Sequence, residues 1–185
     1  MNIFHLDEIL RLCAQYHCDK HVIKMIVEYA QILSTAHRVL DNIGKIKERS
    51  KNNRVIERFV LPDENLNFIL YKASHINHPC NIWVRESAGN YNYLYELFVF
   101  LSEEFTYRYG GVHSTFAKLR SYLKSLPKNI SQDDVKYSTI PLCMPDEYKT
   151  SNYIESYRNF YKYGKSKAFN LTWRNRDVPE WYCED

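Results

Sequence analysis

From Tyr16 to Leu40 the chain runs without a proline or a glycine (YHCDKHVIKMIVEYAQILSTAHRVL), and this stretch sets what the rest can become. Val22, Ile26, Tyr29, Leu33, Ala36 and Leu40 recur at helical spacing, which predicts a long amphipathic helix with one apolar stripe. Off that stripe, His21, Lys24, Glu28, Gln31, Thr35 and Arg38 share a polar face. Solvent faces are usually built from Glu and Lys. Here His17, Cys18 and His21 crowd the entry, and His37 and Arg38 crowd the exit. The expectation is therefore a polar face that looks into a functional pocket. Asp19 is the expected N-cap, its carboxylate taking the first free N–H groups.

A core of that kind needs enough chain around it. With 185 residues, 45% of them hydrophobic and 15% aromatic, the sequence excludes disorder and supports one domain, 1–185, that folds without staples. The net charge of +3 permits a nucleic-acid partner without demanding one. The 16 tyrosines fit base stacking, and they equally fit an AT-rich coding sequence. Five cysteines without regular spacing argue against a disulfide framework. The start MNIFHLDEIL lacks a signal peptide's basic and apolar regions, and no apolar run is long enough to span a membrane. A reducing cytoplasm or nucleus is the expected location.

Taken in order, the chain reads as all-α. A short irregular leader and a brief helix around Ile9–Cys13 precede the long helix. Residues 42–53 are expected to be an exposed charged loop or a frayed helix end, with Lys45, Lys47, Arg49 and Lys51 either solvated or touching phosphates. Asn65–Lys72 looks helical. Pro79 suits a first turn, and Cys80–Tyr109 then supplies a second long helix closed by Gly110-Gly111. Gly89 inside it signals close packing or a break, since glycine costs about 1 kcal/mol against alanine there. His113–Leu126 is a further helix, 127–148 a loop, and Asn152–Lys167 a last helix interrupted near Gly164. The segment Trp173–Tyr182 reads as an irregular, aromatic and basic tail, and no strand is evident.

Several constellations could carry chemistry. His17-x3-His21 with Cys13 and Cys18, and His75-x2-His78-x-Cys80, offer zinc ligands, but neither is a metal signature; the alternative is a set of capping histidines. No CxxC, HExxH, GxSxG or phosphate-loop motif is present. Acid–base work on a nucleic acid has the better case, and it calls for no cofactor and no metal. Glu28 sits mid-helix among apolar neighbours, with Lys24 and His21 one turn away. Basic and aromatic residues interleave at Tyr107-Arg108-Tyr109, at Tyr157 to Tyr161 and at Trp173-Arg174. Arg38, Arg85, Arg108, Tyr109, Arg158 and Trp173 are the expected nucleic-acid contacts, by phosphate pairing or base stacking.

Asp19-Lys20-His21, with Glu28 seven residues beyond the histidine, resembles the start of the phage pyrimidine-dimer DNA glycosylases. His78-Pro79 with Trp83 and Arg85, then Leu97 to Arg108, is similar to the second long helix of their bacterial relatives. FYKYGKSKAF is similar to the aromatic-basic end of the phage enzymes. The chain also resembles short uncharacterised phage and large-virus proteins through HCDKHV, LSTAHRVLD, HP-x2-IW-x-RES and PEWY. That likeness implies a virus-encoded protein working inside a host cell.

The glycosylase resemblance implies a small all-α enzyme acting on damaged or modified duplex DNA. An N-terminal amine attacks the sugar C1′ and forms a Schiff base, with the nucleotide flipped out. Glu28 takes the role of the family's glutamate. Where the family carries arginines around that glutamate, Val27 and Gln31 stand here, and Asn2 replaces the family's threonine. The amine then falls to Met1. Three readings follow: a DNA base-excision enzyme using Glu28, Lys24, His21 and Met1; a non-catalytic nucleic-acid-binding or interaction protein; and a His/Cys metal-dependent enzyme.

Overall fold

The helix α2, Asp19–Leu40, is the beam on which the other elements rest. In this computed structural model, which describes residues 1–132 and 136–183, its stripe of Val22, Ile26, Tyr29, Leu33 and Ala36 is buried. The preceding α1, Leu10–Tyr16, is a separate helix, because His17 and Cys18 adopt extended backbone between the two. Cys18, not Asp19, occupies the N-cap, and it makes no side-chain cap bond. Asp19 instead spends its carboxylate on Arg108, on the Thr172 hydroxyl and on the Arg174 N–H.

The hairpin of β1 (Lys45–Arg49) and β2 (Val55–Phe59) replaces the expected loop or frayed end. Its strands pair antiparallel, Lys45 opposite Phe59 and Arg49 opposite Val55. Ile46, Val55, Ile56 and Phe59 are the β-favouring residues of this otherwise charged ribbon. Lys45–Glu57 (3.3 Å) and Arg58–Glu48 (2.5 Å) link the strands, and Asn53 supplies the left-handed turn residue at φ 58°. The helix α3 (Glu64–Ile69) follows, capped by Asp63, whose carboxylate accepts the Leu66 N–H.

The expected second long helix is two helices, α4 (Pro79–Glu86) and α5 (Ala88–Tyr109). The break falls at Ser87, two residues before Gly89. Ser87 is extended (φ −149°, ψ 159°) and its hydroxyl caps α5 by accepting the Asn90 N–H. Gly110, at φ 73°, closes α5 in the left-handed conformation that favours glycine. The helix α5 packs along α2, while α4 and α6 (Ser114–Leu123) flank it.

After a loop and a 3-10 turn at Asp146–Tyr148, α7 (Tyr153–Asn159) widens into a π turn, Phe160–Lys165. Gly164 is required there: a Cβ would stand 2.6 Å from the Phe160 ring and 3.2 Å from Tyr148. The short α8 (Ser166–Ala168) and α9 (Glu180–Cys183) complete the chain. Buried residues form one cluster reaching from Ile3, Phe4 and Leu6 through α2 and α5 to Trp173. The leader, expected to be irregular, is thus a core strap. Among the described residues no helix is long and apolar enough to cross a membrane.

Candidate functional site

The polar face of α2 is covered rather than solvated. His21, Thr35 and Arg38 are buried, and only Lys24 is well exposed. What covers its middle is the leader. Phe4 N–H donates to the Tyr29 hydroxyl at 3.4 Å, the Asn2 side-chain amide donates to the Cys143 carbonyl at 2.9 Å, and the Tyr157 hydroxyl donates to Asn2 Oδ1 at 3.0 Å. So anchored, the strap delivers the Met1 α-amine to 3.7 Å from Glu28 Oε2. Lys24 Nζ, one turn earlier on α2, lies 3.1 Å from Glu28 Oε1. The Glu28 side chain is 14% exposed and that of Lys24 67%. One carboxylate is therefore shared by a fixed amine and a free-swinging one.

An aromatic wall adjoins this pair. Phe4 stacks on His21 at 4.6 Å, and His21 Nδ1 shares a hydrogen bond with the Tyr161 hydroxyl. Burial, reinforced by the neighbouring His17, Lys165 and Lys24, pushes the His21 pKa down to about 2. His21 is thus a neutral ring at physiological pH, held by Tyr161. Lys165 lays its ammonium over the rings of Phe160 (4.6 Å) and Phe4 (5.6 Å). Burial first, then repulsion from Lys24, lowers its pKa, and Glu28 opposes that drift. Lys165 joins the site as a third amine. It lies in the aromatic-basic FYKYGKSKAF segment, where the interleaving of rings and charges was visible in the sequence but singled out no residue.

The other edge of the site is His78, with burial and the Met1 ammonium lowering its pKa. Beside it the thiols of Cys80 and Cys143 lie 3.6 Å apart. Cys143 was not distinguishable in the sequence, because its partners lie more than sixty positions away.

The expected nucleic-acid contacts are committed elsewhere. Arg38 is completely buried and donates to the carbonyls of Phe59, Asn67, Leu70 and Tyr71 and to Asn67 Oδ1. Arg108 is buried between Glu104 (2.7 Å) and Asp19 (2.9 Å). Arg85 donates to the Ile76 carbonyl, and Arg158 to the Leu6 carbonyl and to Asp7. The Trp173 indole is buried, its N–H donating to the Tyr16 carbonyl, and Tyr109 is half-buried beneath Arg174. These side chains hold the fold together. His17, expected beside His21 as a ligand, instead bonds the Cys13 carbonyl and the Tyr29 hydroxyl. The expected deep pocket around Glu28 is a partly covered seat: clefts of about 550 and 520 Å³ lie along α5–α6 and beside α7, and Glu28 lines neither.

Free positive charge gathers instead on the hairpin. Lys45, Lys47, Arg49, Lys51, Arg54 and Arg58 stand against Glu48 and Glu57, a balance of +4 within a chain whose net charge is +3. The remainder of the molecule is therefore slightly acidic. Lys47, Lys51 and the Arg54 guanidinium have no polar partner among the described residues. The ribbon leaves from the end of α2, about 18 Å along the axis from Glu28.

Fold and site define a mainly α protein whose N-terminal strap sets an amine against a helix-borne carboxylate. Compared with known proteins, the chain matches no family model, no curated protein and no solved structure.

Proposed function

We propose that this chain is a nucleic-acid-acting enzyme that excises a base from DNA through an imine formed on its N-terminal amine. The observation that carries the reading is the approach of the Met1 amine to Glu28, with Lys24 on the other carboxylate oxygen. An imine former needs an amine beside a group that removes its proton. Glu28 takes that proton as the nitrogen bonds to C1′ and the glycosidic bond breaks, its electrons leaving with the base, which takes a proton from water. Glu28 then returns its proton to O4′ as the C1′–O4′ bond opens and the nitrogen lone pair completes the imine. The same carboxylate then removes a C2′ proton, and the 3′ phosphate leaves by elimination. Lys24 is the mobile arm that uncovers Glu28 for substrate. Of the Phe4, His21 and Phe160 stack only the half-buried Phe160 keeps exposed ring surface, and it is the ring a flipped nucleotide would meet. The resemblance of the Asp19–Glu28 segment to the phage glycosylases supports the same reading.

A second reading rests on the hairpin. Its local charge of +4 suits a non-catalytic protein that grips a nucleic-acid backbone. One experiment separates the two. Under the enzymatic reading, borohydride reduction in the presence of abasic-site duplex gives a covalent adduct that maps to Met1, and Glu28→Gln lowers its yield by about two to four orders of magnitude while sparing DNA affinity. If no adduct forms, imine chemistry is excluded. Salt-sensitive binding without an adduct, weakened by joint Ala replacement of Lys47, Lys51 and Arg54, establishes the second reading instead.

A further inference from the structure

The juxtaposition of His78, Cys80 and Cys143 has no part in the base-excision reading, and two separate segments build it. His78 is the N-cap of α4, Cys80 lies in that helix's first turn, and Cys143 comes from the loop before the 3-10 turn. Their ligand atoms all lie within 4.8 Å of one another. The sulfurs are 3.6 Å apart, too far for a disulfide bond of about 2.05 Å. Two zinc–sulfur bonds of about 2.3 Å at a tetrahedral angle span about 3.8 Å, which is close to that separation. Cys80 is fully buried in the first turn of α4. Asn2 Oδ1, 3.7 Å from Cys80 Sγ, is a fourth donor at the same point.

The remaining described thiols lie elsewhere. Cys13 is used by the Leu6 N–H and the Phe4 carbonyl, Cys18 lies against Tyr161, and Cys183 is exposed. Two sulfurs and an imidazole select a soft or borderline cation over magnesium or calcium. Coordination through Nδ1 displaces the 3.2 Å bond from the Cys80 N–H to His78, and loss of the thiol protons ends the Cys80 contacts to Asn2 Oδ1 and Cys143 Sγ.

We propose that His78, Cys80 and Cys143 form a zinc site, with Asn2 or water in the fourth position. Asn2 is bonded to Cys143 and adjoins Cys80, so the metal ties the leader strap to α4 and to the 138–145 loop. Its role is to fix the strap that carries Met1.

The test is elemental analysis of the full chain purified from zinc-supplemented medium, followed by replacement with Co(II). The expected result is stoichiometric zinc. The cobalt form should show near-ultraviolet thiolate-to-metal charge transfer and tetrahedral visible bands. Cys143→Ser and His78→Ala, both at incompletely buried positions, should lose the bound metal to background while keeping the wild-type far-ultraviolet circular dichroism. Chelation should lower the wild-type melting temperature and leave that of Cys143→Ser unchanged. Substoichiometric zinc after incubation with excess metal, a Cys80–Cys143 disulfide in the native mass, or metal retained in both variants overturns the proposal. None of these readouts depends on DNA, so the zinc site and the base-excision reading stand or fall separately.

Discussion

Two charged clusters sit on α2, and they are built to opposite ends. At its first turn, Asp19 meets Arg108, Glu104 and Arg176: two carboxylates against two guanidiniums. Arg108 is completely buried, with its remaining Nη2 donating to the Gln15 carbonyl at 2.8 Å, and Arg176 grips Glu104 through Nε and Nη2. That cluster is balanced, dry and geometrically locked. Nine residues on, Glu28 faces the Met1 amine and Lys24, with Lys165 close enough to feel both. There cations outnumber the carboxylate, and Lys24 extends into water. A balanced cluster has nothing left to offer a ligand, whereas one with surplus cation attracts an anion and retains a carboxylate that a ligand can uncover.

Among single substitutions, the largest expected effect comes from opening the locked cluster. Arg108→Ala leaves the buried Glu104 with Arg176 alone and strips the partly exposed Asp19 of its guanidinium, which costs about 3–5 kcal/mol. Urea denaturation would read this as a lower midpoint with an unchanged slope. A loss below about 1 kcal/mol would mean that the two clusters are not different in kind.

Acid acts on several rings at once, and its summed effect stands apart from those of single substitutions. Burial holds His5, His17 and His37 at pKa values of about 4 and His21 at about 2, against about 6.5 in an unfolded chain. Below pH 6.5 the unfolded state binds protons that the folded state refuses, so stability falls as pH falls. The contribution is complete above pH 6.5, is lost progressively down to about 4 for three of the rings, and continues to fall toward 2 for His21. Each pH unit of separation is worth about 1.4 kcal/mol per ring. Against the push of burial, the Thr172 hydroxyl, the Arg174 N–H and then Arg108 lower the Asp19 pKa, and Arg176 and Arg108 lower that of Glu104, so these carboxylates lose their contribution only at more acid pH. A melting temperature unchanged between pH 7 and 5 would show the histidines to be hydrated instead.

The contrast also explains what could be seen in advance. The apolar stripe of α2 was legible because helical periodicity is local, and so was the placement of Lys24 and Glu28 one turn apart. Partnership across the fold was not legible. Arg38 and Arg108 carry the same charge as any phosphate-binding arginine, and only the arrival of four carbonyls or of Glu104 and Asp19 makes them structural. The hairpin was missed because its two five-residue strands are short, mostly charged and close to a helix end, which reads as fraying. Ser87 broke the second long helix where a glycine drew attention two positions later. Met1 was placed against Glu28 from a resemblance, but the strap that holds it depends on Phe4, Asn2 and Tyr157, residues whose contacts span much of the chain.

The smallest effect on stability should fall on the open cluster, where it sharpens the comparison most. Lys24 is two-thirds exposed, and its pair with Glu28 is an i,i+4 contact of the kind worth well under about 1 kcal/mol. Lys24→Ala should therefore leave the denaturation midpoint nearly unchanged. The Met1 amine keeps the Glu28 charge partnered, so no buried charge is orphaned. Removing the arm takes one cation from the seat of an incoming phosphate while widening access to Glu28. Affinity for abasic duplex should then fall modestly and lose about one counterion's worth of its salt dependence. A destabilisation as large as that of Arg108→Ala would place Lys24 in a second locked network, and the open cluster would cease to exist as a separate kind of site.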